Sequence, residues 1–515
     1  MFAPDVFESR NVRKHDRFQF EVKLNHEFRE NRPHEQYRVE TFFFLPNNLD
    51  INSHTYTKAD FYRDRLLYLR FRTPRFSLVS LSDSENRRSP LNRIDEKLRV
   101  LEHSPTREAA DSLEYEIKLL GCVLKSTFRD HLALVYRSFF QCTAEGNSGA
   151  AATDCQAFLT TFVSRTREIL EVYRGFAERI ANASKGSLHL RSAFLFTDEY
   201  ISLLFEWRCL NLLKWIASFP HLEHLAPDVA GLENLVQEES AYRKERYPQS
   251  MISKVGDNEL FLFRFSVLKK YVAGVLYLNV RLVEEGKGLQ EMALALSAGI
   301  AMLFATAIAF YYQRIYGTLS LSFFTALVVS YMFKDRIKAL LQGYLQRALS
   351  RTLFDQALQI FHSFKGERIG RCREAVAFVD EERLDPRVLK LRDRDHLTEI
   401  ENDWRREKIL RYVRDITIHT TRPWSGSSRK NGLTDIFRFN IRNLLEKMNE
   451  ADATLLYLKD GRVESLEARR VYHVNLVLKI VHGSLIQYER IRLVLTQEGI
   501  KRLEPVAIEE ITDAK

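Results

Sequence analysis

The sequence predicts a mainly α protein with α/β termini. The expected parts include a small N-terminal α/β unit, a cytoplasmic helical bundle, a two-helix transmembrane hairpin and a small C-terminal domain of one helix and an antiparallel sheet. Three observations carry this reading. No residue from Met292 to Tyr312 is charged, and neither is any from Ile315 to Phe333. Residues 91–290 repeat apolar side chains at helical spacing. Both ends of the chain hold short segments in which polar and apolar residues alternate, as half-buried strands do.

Residues 1–80 read as a small N-terminal α/β unit. Arg17–Leu24 (RFQFEVKL) alternates, and Tyr37–Pro46 (YRVETFFFLP) alternates before turning fully apolar, which suggests a more central strand. In DFYRDRLLYLRFRTP, Leu66, Leu67, Leu69 and Phe71 sit among arginines, so a short basic amphipathic helix is expected with its arginines in solvent. Ser82–Pro90 is a polar linker. The bundle follows at 91–290. Its expected helices run over about Thr106–Gln141, Asp154–Ile180, Phe194–Phe219 and Val229–Arg246. Their lengths suit antiparallel packing. From Asn258 an apolar helix broken by Arg264, Lys269, Lys270 and Arg281 is expected to pack in the bundle and lead into the first membrane helix.

The hairpin occupies 291–333. Its first helix, 292–312, would cover roughly 31 Å, the thickness of a bilayer's hydrocarbon core. Its second, 315–333, is shorter, at roughly 28 Å. Tyr311, Tyr312, Tyr316 and Tyr331 lie where interfacial rings are favoured. Small residues recur every fourth position: Ala301, Ala305 and Ala309 in one helix, Ser322, Ala326 and Ser330 in the other. Such stripes let helix backbones approach closely. The preferred reading packs the two helices on each other; the alternative packs one stripe on a second copy, giving a homo-oligomer. Lysines and arginines crowd both flanks, and the turn carries only Arg314, so both flanks are expected in the cytoplasm.

Residues 334–420 are expected to form a charged, helical juxtamembrane segment, and Thr421–Gly432 a flexible linker. The C-terminal α+β domain, 433–515, opens with a helix over Thr434–Asn449. A hairpin then turns on Asp460–Gly461, two strands meet near His482–Gly483, and a last strand covers about Lys501–Val506.

Composition narrows the function. A chain of 515 residues has room for more than one domain. The net charge of +9 gathers near the hairpin, where anionic lipid would attract it. No nucleic-acid module is visible, so nucleic acid is not an expected partner. Five irregularly spaced cysteines without a C-x-x-C fit free thiols in a reducing compartment. The N-terminal residues lack an apolar core, so no cleavable signal is expected.

No ionisable residue lies within the uncharged runs, which argues against a pump or transporter. Walker A, Rossmann, nucleophile-elbow and H-E-x-x-H patterns are all absent. His221 and His224, in HLEH, are the metal-ligand candidates, but two ligands make half a site. Asp393, Asp395 and His396 alternate with arginines and read as a solvated face. No catalytic residue and no cofactor is assigned.

The expectation is therefore a multi-pass protein of a bacterial-type inner membrane, with both termini cytoplasmic. It would act without enzymatic activity as a membrane-anchored scaffold for an unidentified cytoplasmic protein. A membrane-bound enzyme with a site built from distant residues is one alternative. An oligomeric channel is the other.

Overall fold

The two ends of the chain meet in shared sheets. The computed structural model describes residues 12–506 except 29–32, 145–148, 184–187, 219–225, 284–286, 318–319, 353, 365, 393–405, 420–431, 447 and 449–451. The larger sheet has eight antiparallel strands. In chain order these are β3 (His34–Leu45), β5 (Leu278–Val283), β6 (Gln356–His362), β7 (Arg368–Val379), β8 (Lys408–His419), β12 (Tyr472–His482), β13 (Leu485–Thr496) and β14 (Gly499–Val506). Across the sheet they run β14-β13-β12-β3-β8-β7-β6-β5. A four-stranded sheet, β1-β2-β9-β4, joins β1 (Val12–Lys14), β2 (Gln19–His26) and β4 (Arg65–Phe71) to β9 (Leu433–Asn440). The third sheet is an exposed ribbon of β10 (Asp452–Lys459) and β11 (Arg462–Arg469). Asp460 and Gly461 turn it, both at positive φ, as a type I′ turn requires.

Helices fill the middle of the chain. They are α1 (Lys58–Asp64), α2 (Leu78–Ser82), α3 (Pro90–His103), α4 (Arg107–Ala144), α5 (Gly149–Gly175), α6 (Ala177–Ala183), α7 (Leu188–Ile216), α8 (Ala226–Arg246) and α9 (Glu259–Ala273). Local chemistry sets their starts. Thr57 and Asp60 form a capping box on α1, and Pro90 opens α3, where its missing N–H costs nothing. After β5 come α10 (Lys287–Tyr316) and α11 (Leu321–Thr352), then two short helices, α12 (Pro386–Arg392) and α13 (Arg442–Leu445). One continuous core runs from the sheets into the bundle; Tyr115 of α4 bridges them by packing on His362 and Phe364.

This architecture corrects the expected fold class. The chain is not a mainly α protein with α/β units confined to its ends. β5 to β8 place four strands in stretches read as helical, and β9 replaces the first part, Thr434–Asn440, of the helix expected over Thr434–Asn449. The expected basic helix is α1 followed by β4, an interior strand position being filled by β9 beside it. Apart from the β10–β11 ribbon, the C-terminal strands belong to sheets shared with the N-terminal residues: β9 pairs with β2 and β4, and β12 pairs with β3. The apolar helix from Asn258 ends at Ala273 and gives way to β5.

Buried charge explains the misreading. The two large sheets face each other across an aromatic layer that includes Phe43, Phe61, Tyr412, Phe437 and Phe439. Inside that layer Arg414 of β8 donates to Asp435 of β9 at 2.6 Å, both side chains fully buried. Beside it Glu374 of β7 accepts from Arg65 of β4 and from the Tyr412 hydroxyl. Each inward charge interrupts the apolar alternation that marks a strand. Burial raises the Asp435 carboxyl above its ordinary value, with Arg414 opposing that rise.

Removing one partner of this pair leaves the other charge buried and uncompensated. Asp435→Asn is expected to cost about 3–5 kcal/mol, whereas a double change of Arg414 and Asp435 to apolar residues costs much less. Urea unfolding of the three proteins measures this. Glu21 of β2 gives a pH test. Burial alone would raise its carboxyl, but the hydrogen bond from Arg438, with Lys23 and Arg13 beside it, brings it down to about 2. A depressed carboxyl stabilises fully above its unfolded value and loses that effect as pH falls toward 2. Glu21→Gln should therefore cost about 2 kcal/mol near neutral pH, discounted for the partly exposed partners, and the deficit should close between about pH 4.5 and 2.

Candidate functional site

The most conspicuous surface is the arm formed by α10 and α11. It is an insertion between two neighbouring strands, because β5 and β6 are antiparallel and Val283 lies opposite Ala357. Both ends of the arm are thus fixed at one edge of the large sheet. At 1.5 Å per residue each helix is about 45 Å long. α10 stops at Gly317, whose positive φ of 73° suits a left-handed cap and whose amide donates to the Gln313 carbonyl. Ser320 starts α11, accepting the Phe323 amide on its hydroxyl at 3.2 Å.

The helices meet through small side chains. Among the described residues of the arm, those buried are Ser297, Ala301 and Ser330. The Ser330 hydroxyl donates across the interface to the Ala305 carbonyl at 3.2 Å. Ala305, Ala309 and Ala326 are half-buried, while Ser322 is exposed. So the structure brings Ala301, Ala305 and Ser330 together and leaves Ser322 outside. The sequence reading missed Ser297, which extends the alanine stripe one turn toward the N-terminus and could have been found by following the four-residue spacing backwards.

The rest of the arm turns apolar side chains outward, among them Leu296, Leu303, Phe310, Leu321, Phe324 and Met332. Only α10 is long and apolar enough to cross a membrane among the described helices; its span is Gly288–Tyr316, with 11% of the apolar window buried. This corrects the expected pair of transmembrane helices. Ile315 and Tyr316 belong to α10, so they are lost from the second run, whose helix α11 starts at Leu321. What remains of it, Leu321–Phe333, rises about 20 Å before Lys334, Asp335 and Arg336.

Two other places gather ionisable groups. A cleft of about 640 Å³ lies between Asn52–Lys58, the end of β7 and the start of β8. Lys58, Asp380, Glu381, Glu382 and Arg406 line it. These charges pair: Arg406 with Glu382 at 2.8 Å, and Lys58 with Asp355 at 2.5 Å. Below it Arg392 grips Glu407 through two bonds, fixing α12 over Phe42, Phe44 and Ile409. In the bundle, Asp198 accepts from Arg174, Tyr242 and Tyr247, Glu239 accepts Arg174 in a fork, and Arg264 grips Glu199. This network ties α5, α7, α8 and α9 together. None of it was visible in sequence, since its members lie far apart in the chain.

His221 and His224 lie outside the described residues, as do Asp393, Asp395, His396 and most of the expected linker. Among the described residues, no group of three or more histidines, cysteines or acids is placed to hold a metal ion. No family model matches the chain, and comparison with characterised proteins and with solved structures found no relative.

The close approach at Ala301 gives a direct test. Ala301→Leu should force the arm helices apart and cost about 1–3 kcal/mol, while Ser322→Leu, on the exposed side, should stay within about 0.5 kcal/mol. Thermal unfolding of the detergent-solubilised variants separates the two.

Proposed function

We propose that this chain is a membrane-anchored interaction protein, held by burial of α10 in a lipid bilayer. The observation that carries the proposal is the arm's apolar surface, since monomeric soluble proteins rarely leave so large a contiguous patch in water. Packing through small residues supports it, because that is how helices associate where water provides no driving force. Tyr311, Tyr312 and Tyr316 form a ring cluster at the C-terminal end of α10, where an interfacial belt would sit.

Both ends of the arm leave the same sheet edge, so α10 enters the bilayer from the side on which the sheets lie. We read that side as the cytoplasmic face of a bacterial-type inner membrane, because lysines and arginines crowd both flanks of the arm. The mechanism is placement: partners that bind the body are raised in local concentration at the membrane. A membrane-bound enzyme would use the cleft beside Lys58, but charges that neutralise one another in pairs favour the scaffold.

The arm's position in a β-hairpin connection supplies the experiment. The full chain should remain with membranes through an alkaline carbonate wash. A variant with Lys287–Thr352 replaced by a short glycine-serine turn joins neighbouring strands, so it should keep its body fold and appear in the soluble fraction. Release of the full chain by carbonate would contradict the proposal, and so would retention of the armless variant.

A further inference from the structure

α9 presents its outer face the wrong way round for a soluble helix. Its inner side, centred on Leu268 and Val272, packs in the bundle. Its outer side is also apolar: Leu260, Leu262, Phe263 and Val267 are exposed, Phe263 by 69%. Ile252 and Val255, in the turn just before the helix, are exposed as well. A helix that covers a core ordinarily carries polar residues on its far side.

Cations border this face. Lys269 and Lys270 lie exposed on the last turns of α9. Lys125 of α4 lies about one turn beyond Gly121 and Cys122, which pack on Val272 of α9, and it feels the charge of Lys269. The charges that act on its ammonium are those of Lys269, Arg70 and Arg208, with the Cys122 thiol, and no carboxylate pairs with it among the described residues. Burial and then the charge of Lys269 push it down to about 8. The like charges of Lys125 and Lys269 make a nearby anion favourable. Apolar side chains flanked by lysines, on a helix lying along a body, are the combination that binds an anionic bilayer surface.

The chain also puts this face within reach of the arm. Residues 274–286 alone connect α9 to α10. Fully extended, 13 residues reach at most about 47 Å.

We propose that the outer face of α9 is a second lipid-contact surface, with Leu260, Leu262, Phe263 and Val267 entering the bilayer interface and Lys125, Lys269 and Lys270 taking the phosphates of anionic lipids. It rests on the membrane reading of the arm, and it adds to that reading a dependence on lipid charge. The arm fixes the chain in the bilayer, while α9 sets how the body lies against it.

The test uses the full chain in proteoliposomes whose acyl chains carry bromine, a contact quencher of tryptophan. Phe263→Trp reports on α9 and Phe310→Trp on the arm, each read as the difference from the parent chain. Both positions are exposed, so the changes spare the core. With phosphatidylglycerol present, both added tryptophans should lose emission. In phosphatidylcholine alone, only the one at 310 should. Lys269→Glu with Lys270→Glu should abolish quenching at 263 and leave 310 unchanged.

If 310 is quenched and 263 is not in either lipid, the α9 proposal falls and the arm reading stands. Quenching at 263 that ignores both lipid charge and the lysine changes also overturns it. A tryptophan at 263 that bromine does not quench but that is shielded from acrylamide would mean a protein surface or a second copy covers α9. If neither position is quenched, both readings fall.

Discussion

The ion pair between Arg414 and Asp435 is the constraint on which the rest of the fold depends. It lies in the dry layer between the two large sheets, where an unpaired charge would be expensive. Arg414 comes from the centre of the eight-stranded sheet, and Asp435 from a strand held between β2 and β4. The two residues are only 21 apart in the chain, but β3 flanks β8 and β2 and β4 flank β9, so N-terminal strands hold the pair in its layer. Glu374 and Arg65 repeat the device one step away. A fold of this kind cannot be assembled from independent N- and C-terminal units, and its long-range strand pairing favours slow folding.

The parts legible in the sequence were those whose pattern follows from one environment. β2, the first half of β3, β12 and β13 were readable because polar and apolar residues alternate along their sequences. The Asp460–Gly461 turn was readable because two successive residues at positive φ need those types. The long bundle helices were readable from spacing and their start signals. β7 and β8 were not. Their inward faces include Glu374 and Arg414, and their outward faces carry Arg371, Arg373 and Arg411, so charge density imitated a solvated helix. β5 was hidden for a different reason: its apolar residues follow α9 without a break in composition.

The arm shows the same limit in a milder form. The uncharged runs and most of the small-residue stripe could be read directly. The boundary between α10 and α11 could not, because Gly317 ends the first helix later than the charge at Arg314 suggested, and that shortens the second apolar run. The body and the arm also meet their environments differently. The body hides charge among aromatic rings, and the arm leaves apolar side chains uncovered. The membrane proposal accounts for both, with the sheets outside a bilayer and α10 inside it.

That claim is tested most directly by a depth profile along α10 in proteoliposomes. Nitroxide labels at Leu289, Leu296, Leu303 and Tyr316 all occupy exposed positions. Relaxation by oxygen, which concentrates in lipid, should peak at Leu303, and relaxation by a water-soluble nickel chelate should be confined to Leu289 and Tyr316. Nickel reaching Leu303 as freely as Leu289 would place α10 in water or in a protein groove and would contradict the account.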